Sequence, residues 1–196
     1  MAKQQGLREL LMDELRDVYD AEKQLTKALW KLSRTAFSPE LREAFETHLE
    51  ETQGQIERLE QVFESLDEKA RGKHCDRIAG IIEEGKSIME EKFDDATMDA
   101  CLIAAGQRAE HYEMAAYGTL IAWAQSMGHT EATNLLQGIL DEEKAADKKL
   151  SSLAEGGINQ DAADAAHPEN DEEEEDEPVR GRKGGSATAV ATRRRR

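Results

Sequence analysis

The stretch that decides the fold is 136–153, LQGILDEEKAADKKLSSL, which lies in the last strongly patterned part of the chain. Together with one preceding alanine, its apolar residues recur at alternating intervals of four and three positions, the pattern of a helix face buried in a bundle. They are Ala132, Leu136, Ile139, Ala146, Leu150 and Leu153. The pattern has one gap, where Glu143 replaces the expected apolar residue.

The first predicted helix repeats this pattern near the start of the chain. Its apolar residues follow the same spacing, and Glu22 fills the one gap. They are Leu11, Leu15, Val18, Leu25, Leu29 and Leu32. An ionised carboxylate in a dry core costs several kcal/mol unless another group compensates its charge. Glu22 and Glu143 therefore predict a basic partner, a bound proton or a metal ion in the interior.

The rest of the pattern predicts five helices and no strand, because no central run is rich in Val, Ile and Thr. The links after the first and fourth helices are short, so each joins a pair of antiparallel neighbours. The third helix lies within the long connection between these pairs. The predicted fold is an all-α, ferritin-like antiparallel four-helix bundle with a short extra helix in the crossover. The predicted helices cover residues 6–34, 39–67, 76–92, 95–127 and 130–154.

The second and fourth helices have less regular apolar stripes than the first and last. In the second helix we assign Leu49 and Ile56 to the middle of the buried stripe. In the fourth helix we assign Ala109, Tyr112 and Trp123 to it. These assignments predict which sides of the two helices face the core.

Residues 1–155 are predicted to form the bundle, and residues 156–196 a disordered C-terminal tail. The Gly156-Gly157 pair is expected to stop the last helix, and an unbroken acidic run follows at 171–177. The sequence ends in four arginines. Such a composition buries too little apolar surface to order itself. The charged tail is expected to contact protein partners, although a solvated tail without a partner is the simpler interpretation.

The formal net charge of -16 disfavours general binding to nucleic acid or to an anionic membrane. No apolar run approaches the roughly 20 residues of a membrane span, and the N-terminus lacks the apolar core of a signal peptide. Cys75 and Cys101 have no metal-ligand spacing and need not pair, which is typical of a reducing compartment. We therefore expect a cytoplasmic protein that binds neither membranes nor nucleic acid.

Each of the four bundle helices offers a carboxylate near its middle. These carboxylates are Glu22, Glu51, Glu110 and Glu143. His48 lies three residues before Glu51, and Glu113 three residues after Glu110, so each shares a helix face with its neighbour. Converging carboxylates repel one another unless two divalent cations neutralise them. An oxygen-rich set with one histidine suits Fe or Mn best, with Zn as a further option.

Four stretches occur in order within residues 7–154: AEKQLTKAL, HLEETQGQIERLEQV, AEHYEMAAYGTL and LDEEKAADKKL. Together they resemble the YciE/YciF group of bacterial stress-induced proteins in the ferritin-like superfamily. The resemblance implies a homodimer, a dinuclear metal site and induction in general or osmotic stress. It also implies that Glu113 matches the extra glutamate of rubrerythrin-like members. The superfamily's metal-binding glutamates would fall on Glu22, Glu51, Glu110 and Glu143.

The sequence departs from the common di-iron pattern, which places Glu-x-x-His on two helices. At that spacing, Glu51 is followed by Gly54, and Glu143 is followed by Ala146. The second helix instead has the reverse order, with His48 three residues before the glutamate. The superfamily's ligand pattern therefore applies to this chain only in part.

Two functions of different classes follow from these observations. In the first, a stress protein holds two divalent metal ions, oxidises Fe(II) or consumes peroxide, and is a di-metal oxidoreductase. Its metal ligands would be Glu22, His48, Glu51, Glu110, Glu113 and Glu143. In the second, the protein is a metal-free helical dimer or adaptor that acts through its bundle surface and charged tail. A DNA-protecting mini-ferritin is disfavoured by the negative charge of the bundle.

Overall fold

A computed structural model describes residues 6–167, which are almost entirely helical. Within this range there are six α-helices and no strand, so the predicted all-α class is confirmed. All five predicted helices are present, with ends within three residues of those expected. The bounds are α1 Leu7–Thr35, α2 Pro39–Ser65, α3 Asp76–Met89, α4 Asp95–Ser126, α5 Thr130–Leu153 and α6 Asn159–Ala166.

Local capping residues set the helix ends. The Ser38 hydroxyl accepts a hydrogen bond from the Leu41 amide at 3.3 Å, which begins α2. The Asp94 carboxylate accepts one from the Thr97 amide at 2.9 Å, which begins α4. Gly128, between α4 and α5, has φ +78°, a left-handed conformation that favours glycine. The tight turn between these helices therefore depends on a glycine at this position.

Apolar clusters at the two ends of the bundle show the relative directions of the helices. The N-terminal half of α1 packs with the C-terminal halves of α2 and α4 and the N-terminal half of α5. The opposite halves meet at the other end. In the cyclic order α1, α2, α5, α4, each helix is therefore antiparallel to both neighbours. This confirms the predicted ferritin-like antiparallel bundle.

We refer to these clusters as the upper and lower apolar layers. The buried residues of the upper layer include Leu11, Leu15, Val18, Leu59, Val62, Phe63, Leu120 and Leu136. Those of the lower layer include Leu29, Leu41, Phe45, Leu102, Ile103 and Leu150. Burying a large apolar side chain contributes roughly 1.5–3 kcal/mol, so the two layers supply most of the free energy that holds the bundle together.

Helix α3, in the crossover, packs against α1 and α4 outside the four-helix core. Its buried Ile78 forms a third apolar cluster with Ala21, Leu25 and Ala109. Helix α4 is therefore covered on two sides, by the bundle and by α3. This explains why its apolar residues are not confined to a single stripe.

The chain beyond α5 differs from the prediction that the bundle ends at residue 155. The Gly156-Gly157 pair lies in a π-helical turn, Ala154–Ile158, and α6 follows it and packs on α4. Gly157 has φ +150°, so the helical path is interrupted there but continues beyond. Ile158 packs against the lower apolar layer and anchors this segment. The acidic run and the terminal arginines lie outside the described residues, where the tail stays a prediction.

None of the helices within residues 6–167 is both long enough and apolar enough to span a membrane.

Candidate metal centre

The middle of α2 places polar residues where the flanking apolar layers would predict hydrophobic ones. The four-and-three register of its two apolar ends, continued through the helix, passes through His48, Thr52 and Gln55, which are all buried. Leu49 and Ile56, which we assigned to this stripe, are only half-buried beside it. Our assignment of Leu49 and Ile56 to the buried stripe is therefore wrong. The buried face of α2 keeps the same register throughout, but its residues change from apolar to polar in the middle of the helix.

Helix α4 likewise turns a polar face to the bundle at mid-length. Glu110, Glu113 and Tyr117 are buried there. Tyr112 and Trp123, which we assigned to the core stripe, are only half-buried. Of the predicted stripe, Ala109 belongs to the third apolar cluster beside α3 and Tyr112 packs against it, and the polar face lies next to them.

The polar side chains meet halfway along the bundle, between the two apolar layers. His48, Glu110, Glu113 and Glu143 each offer one ligand atom, and these four atoms all lie within 4.8 Å of one another. His48 Nε2 is 3.2 Å from Glu110 Oε1 and 3.5 Å from Glu143 Oε2. Such a group of carboxylates around one imidazole could hold a metal ion.

Glu22 from α1 adjoins this group and is fully buried, with 0% of its surface exposed. One of its carboxylate oxygens, Oε1, accepts a hydrogen bond from the Tyr117 hydroxyl. The negative charge of Glu22 also raises the pKa of Glu113 and of Glu143, so the three carboxyl groups interact electrostatically and form one unit. We name this unit the carboxylate layer, which consists of Glu22, His48, Glu110, Glu113 and Glu143.

The carboxylate layer contains buried oxygens without hydrogen-bond partners. They are Glu22 Oε2, Glu110 Oε2, Glu113 Oε2 and both carboxylate oxygens of Glu143. Within residues 6–167, no lysine or arginine forms an ion pair with these four glutamates. Because a buried carboxylate oxygen without a partner costs free energy, this donor set fits a cation that would fill the space.

Without a metal, burial favours the protonated glutamates. Burial raises the pKa of Glu22 to about 7, although the hydrogen bond from Tyr117 lowers it. Burial also raises the pKa of Glu113 and of Glu143 well above the usual range, and the charge of Glu22 raises both further. The metal-free protein therefore retains protons in its core at neutral pH.

His48 supplies the one positive charge in the carboxylate layer. Burial lowers its pKa, but hydrogen bonds to Glu110 and Glu51, together with the charges of Glu110 and Glu143, outweigh burial and raise the pKa well above its usual value. The imidazolium then pairs with the surrounding carboxylates. A metal ion would have to displace that proton in order to use His48 as a ligand.

Glu51 occupies the edge of the site and not its interior. Its side chain is 40% exposed, and its Oε2 lies 3.2 Å from His48 Nδ1. The structure therefore brings five of the six predicted site residues into one buried unit and places Glu51 at the margin. From there its carboxylate can fix the ring orientation of His48.

Residues beside the centre that we did not assign to it support its position. The Thr52 hydroxyl donates to the His48 carbonyl oxygen at 2.8 Å. Gln55 donates from Nε2 to Glu142 Oε2 at 3.1 Å, and Arg58 pairs with the same carboxylate. The only sequence signal for Thr52 and Gln55 is the uninterrupted register of α2.

A second, partly buried polar network lies between α1, α3 and α4. The Tyr112 hydroxyl donates to Asp17 Oδ2 at 3.1 Å, and Arg77 Nη1 donates to the same oxygen at 3.2 Å. Cys75 Sγ lies 3.1 Å from the Tyr112 hydroxyl. Since these residues come from three distant segments, no short motif in the sequence could reveal the network. It ties the crossover to the bundle.

An acidic cleft leads from the α2 and α5 surface towards the centre. It has a volume of about 300 Å³, and Glu40, Glu43 and Glu51 line it together with a single lysine, Lys149. His48 and Glu110 of the carboxylate layer also line it. Carboxylates along such a cleft attract cations, so this side of the bundle offers an approach for a metal ion.

The fold and the centre define the class of this protein as a ferritin-like helical bundle with a buried carboxylate and histidine cluster. The comparison with known families then identifies it further. Residues 6–163 match the family described as "Domain of unknown function (DUF892)", and the chain belongs to that family.

The relatives agree with this assignment. The chain is 47% identical over 153 residues to Protein YciF of Escherichia coli (strain K12), covering 78% of this chain and 92% of that protein. The crystal structure of the E. coli stress protein YciF matches with TM-score 0.77 and 44% identity, covering 80% and 99% of the two chains. YcfI of Rhodopseudomonas palustris matches with TM-score 0.75 and 45% identity, covering 78% and 98%. The resemblance to the YciF group is confirmed.

Proposed function

We propose that this protein is a stress-associated carboxylate protein whose carboxylate layer binds two divalent metal ions, iron or manganese first and zinc as a further option. The observation that supports this most strongly is the set of buried glutamate oxygens without hydrogen-bond partners. The association with stress rests on the similarity to the E. coli stress protein YciF. Glu51 would orient His48 from the edge of the site.

A bound pair of iron or manganese ions would supply redox chemistry for the oxidation of Fe(II) or the consumption of peroxide. The glutamates of the carboxylate layer would release the protons that they hold in the metal-free protein. Tyr117 would orient Glu22 through its hydroxyl, and the two apolar layers would keep bulk water away from the centre.

Metal content tests this proposal. Protein expressed without a tag in medium containing Fe, Mn and Zn is expected to carry about two metal ions per chain by elemental analysis. Glu143→Gln should remove most of that metal, because Glu143 is buried in the cluster. Glu50→Gln is the matched control, since Glu50 is exposed on α2. Wild-type protein that folds but holds no metal would contradict the proposal.

A second candidate function, a self-associating helical module, is favoured by exposed aromatic side chains. Trp30 is 57% exposed, Phe37 50% and Phe93 44%, and aromatic side chains are enriched in protein–protein interfaces. In this alternative the protein is a homodimer or adaptor, and its carboxylates remain protonated. Sedimentation of chelator-treated protein tests it: a dimer that Trp30→Ser dissociates would favour this function, and a stable monomer would exclude it.

We further propose that the protein acts in the cytoplasm. Both of its cysteines are free in the structure, with Cys75 buried, as expected for a reducing compartment. Fractionation of the producing cells would test this location, and recovery of the protein outside the cytoplasmic fraction would contradict it.

A further inference from the structure

A second cleft reaches the carboxylate layer from the opposite side of the bundle, between α1, α3 and α4. Its volume is about 290 Å³. Glu110 lines it, and the same residue lines the acidic cleft between α2 and α5. The larger apolar residues that line the second cleft are Leu25, Leu29, Leu32, Ile81, Ile82 and Met89.

Three lysines surround this apolar cleft: Lys27, Lys31 and Lys86. Lys86 Nζ pairs with Glu83 Oε2 at 2.7 Å, and the positive charge of Lys31 also lowers the pKa of Glu83. Lys27 forms no ion pair or hydrogen bond with the described residues. Three ammonium groups therefore accompany two carboxylates, Glu83 beside the lysines and Glu110 in the lining, so the lysines leave an excess of positive charge at this cleft on a protein with a formal net charge of -16.

The combination of apolar walls and cationic side chains determines the chemistry of a fitting ligand. A purely apolar molecule would leave the lysines unused, and a small inorganic anion would leave the walls unused. A molecule with one negative end and an aliphatic body matches both features. At ~30 Å³ for each water-sized unit, the cleft has room for roughly ten non-hydrogen atoms. This is enough for the aliphatic chain of a ligand whose carboxylate oxygens lie outside the cleft, at the exposed ends of the lysines.

We propose that this cleft binds a medium-chain aliphatic monocarboxylate, of about eight to ten carbons, with its carboxylate at the three lysines and its chain along the wall of leucines and isoleucines. The binding goes beyond the proposed metal function and does not depend on it. The lysines and the apolar walls are formed by the chain itself, without any metal.

Calorimetric titration of the metal-free, full-length protein with decanoate tests the proposal. We expect one saturable site per chain, and at least fivefold weaker binding of decanol and of decylammonium. The double variant Lys27→Gln/Lys31→Gln should weaken decanoate binding about fivefold to tenfold, because each exposed pair contributes only modestly. The charge-matched control is Lys144→Gln/Lys148→Gln on α5, which should bind like wild type.

A second variant tests the apolar wall. A Cβ at Gly85 would lie 3.7 Å from Ala105 Cβ, an ordinary contact, so the side chain of Gly85→Leu would fill the cleft and remove decanoate binding. Absence of decanoate binding to wild type, or equal binding of decylammonium, would overturn the proposal. Full binding by the lysine double variant would overturn it as well, even where Gly85→Leu fails to fold. None of these outcomes alters the metal content, so the two proposals can fail separately.

Discussion

The apolar layers and the carboxylate layer between them solve opposite physical problems within the same four helices. In the apolar layers the buried side chains match their surroundings, and Leu15, Phe63 and Leu136 are fully buried. In the carboxylate layer, Glu22 and Glu143 are just as fully buried but leave oxygens without partners. The comparison shows that this bundle concentrates its apolar packing at the ends and its buried ionisable groups in the middle.

The difference has an energetic meaning. Burying an apolar side chain stabilises the fold, whereas burying an uncompensated carboxylate destabilises it by an amount that a proton or a cation can recover. The apolar layers therefore supply the free energy that allows the carboxylate layer to exist without metal. The following experiments test whether the two kinds of layer contribute in this opposite sense.

The largest effect is expected from the upper apolar layer. Phe63→Ala should lower the free energy of unfolding by about 3–5 kcal/mol, because Phe63 is fully buried and packs edge-on against Tyr19 with ring centres 5.6 Å apart. Urea unfolding measures this. Phe93→Ala, at an exposed position, should change stability by only about 0.5 kcal/mol. Equal losses in the two variants would show that the upper layer is not the source of stability.

The next effect is a pH dependence of the chelator-treated protein. Between the unfolded pKa of 4.5 and the folded pKa of about 7, Glu22 keeps its proton when folded and loses it when unfolded. The stability it contributes is therefore fully present below pH 4.5 and is lost as the pH rises to 7, by about 3 kcal/mol at 1.36 kcal/mol per pKa unit. The pKa values of Glu113, Glu143 and His48 are also raised, so these groups likewise lower the free energy of unfolding as the pH rises.

Urea unfolding at intervals from pH 5 to pH 8 measures this decline. In the variant Glu22→Gln, the free energy of unfolding should fall clearly less steeply with rising pH. The lowered pKa of Asp94 has the opposite effect at low pH, because the stability that it contributes is lost as the pH falls. Wild type and variant are therefore compared above pH 4.5. Stability that rises from pH 5 to pH 7 in the chelated wild type would contradict the prediction.

A smaller effect of opposite sign is expected when a carboxylate is replaced by an apolar side chain. Glu113→Met should stabilise the metal-free protein at pH 8 by about 1–3 kcal/mol, because Glu113 is 2% exposed and has no basic partner. It should also abolish stabilisation by added Mn²⁺. Thermal unfolding with chelator and with Mn²⁺ measures both effects, and Glu50→Met is the exposed control. Destabilisation without metal would mean that Glu113 is compensated within the fold.

The smallest effect concerns the hydrogen bond that Glu22 accepts from Tyr117. Because this bond lowers the pKa of Glu22, Tyr117→Phe should raise that pKa above about 7 and extend the pH-dependent decline to higher pH. The loss of stability at pH 8 should be about 1 kcal/mol. The same pH series of unfolding measurements tests this, with Tyr112→Phe as a control in the second polar network. An unchanged pH profile would show that the hydroxyl does not act on Glu22.

The helices, the topology and the two most informative carboxylates could be predicted from the sequence. Glu22 and Glu143 interrupt otherwise regular stripes on helices that present one face to the core, so their burial could be predicted residue by residue. In α2 the stripe itself becomes polar at His48, Thr52 and Gln55, and a search for apolar residues selects the neighbouring Leu49 and Ile56 instead. Local hydrophobicity alone therefore gives the wrong face at mid-helix.

Helix α4 and the edge of the site show what depends on tertiary structure. Because α3 covers one side of α4, apolar residues appear on two faces, and the sequence cannot say which face meets the bundle. Glu51 lies beside the buried register of α2, one position before Thr52, and its side chain is 40% exposed. The continuation of the chain through Gly157 into α6 depends on packing against α4, since glycine propensity predicts a stop.

The candidate ligand atoms of the carboxylate layer come from four separate helices, from Glu22 in α1 to Glu143 in α5. A cation held by all of them would close large loops of the backbone, as a cross-link does. Its exchange would then be governed by how often the helices separate and less by the strength of any single bond. Such a protein would release metal only as fast as its helices separate, so the metal would dissociate slowly even if its affinity were modest.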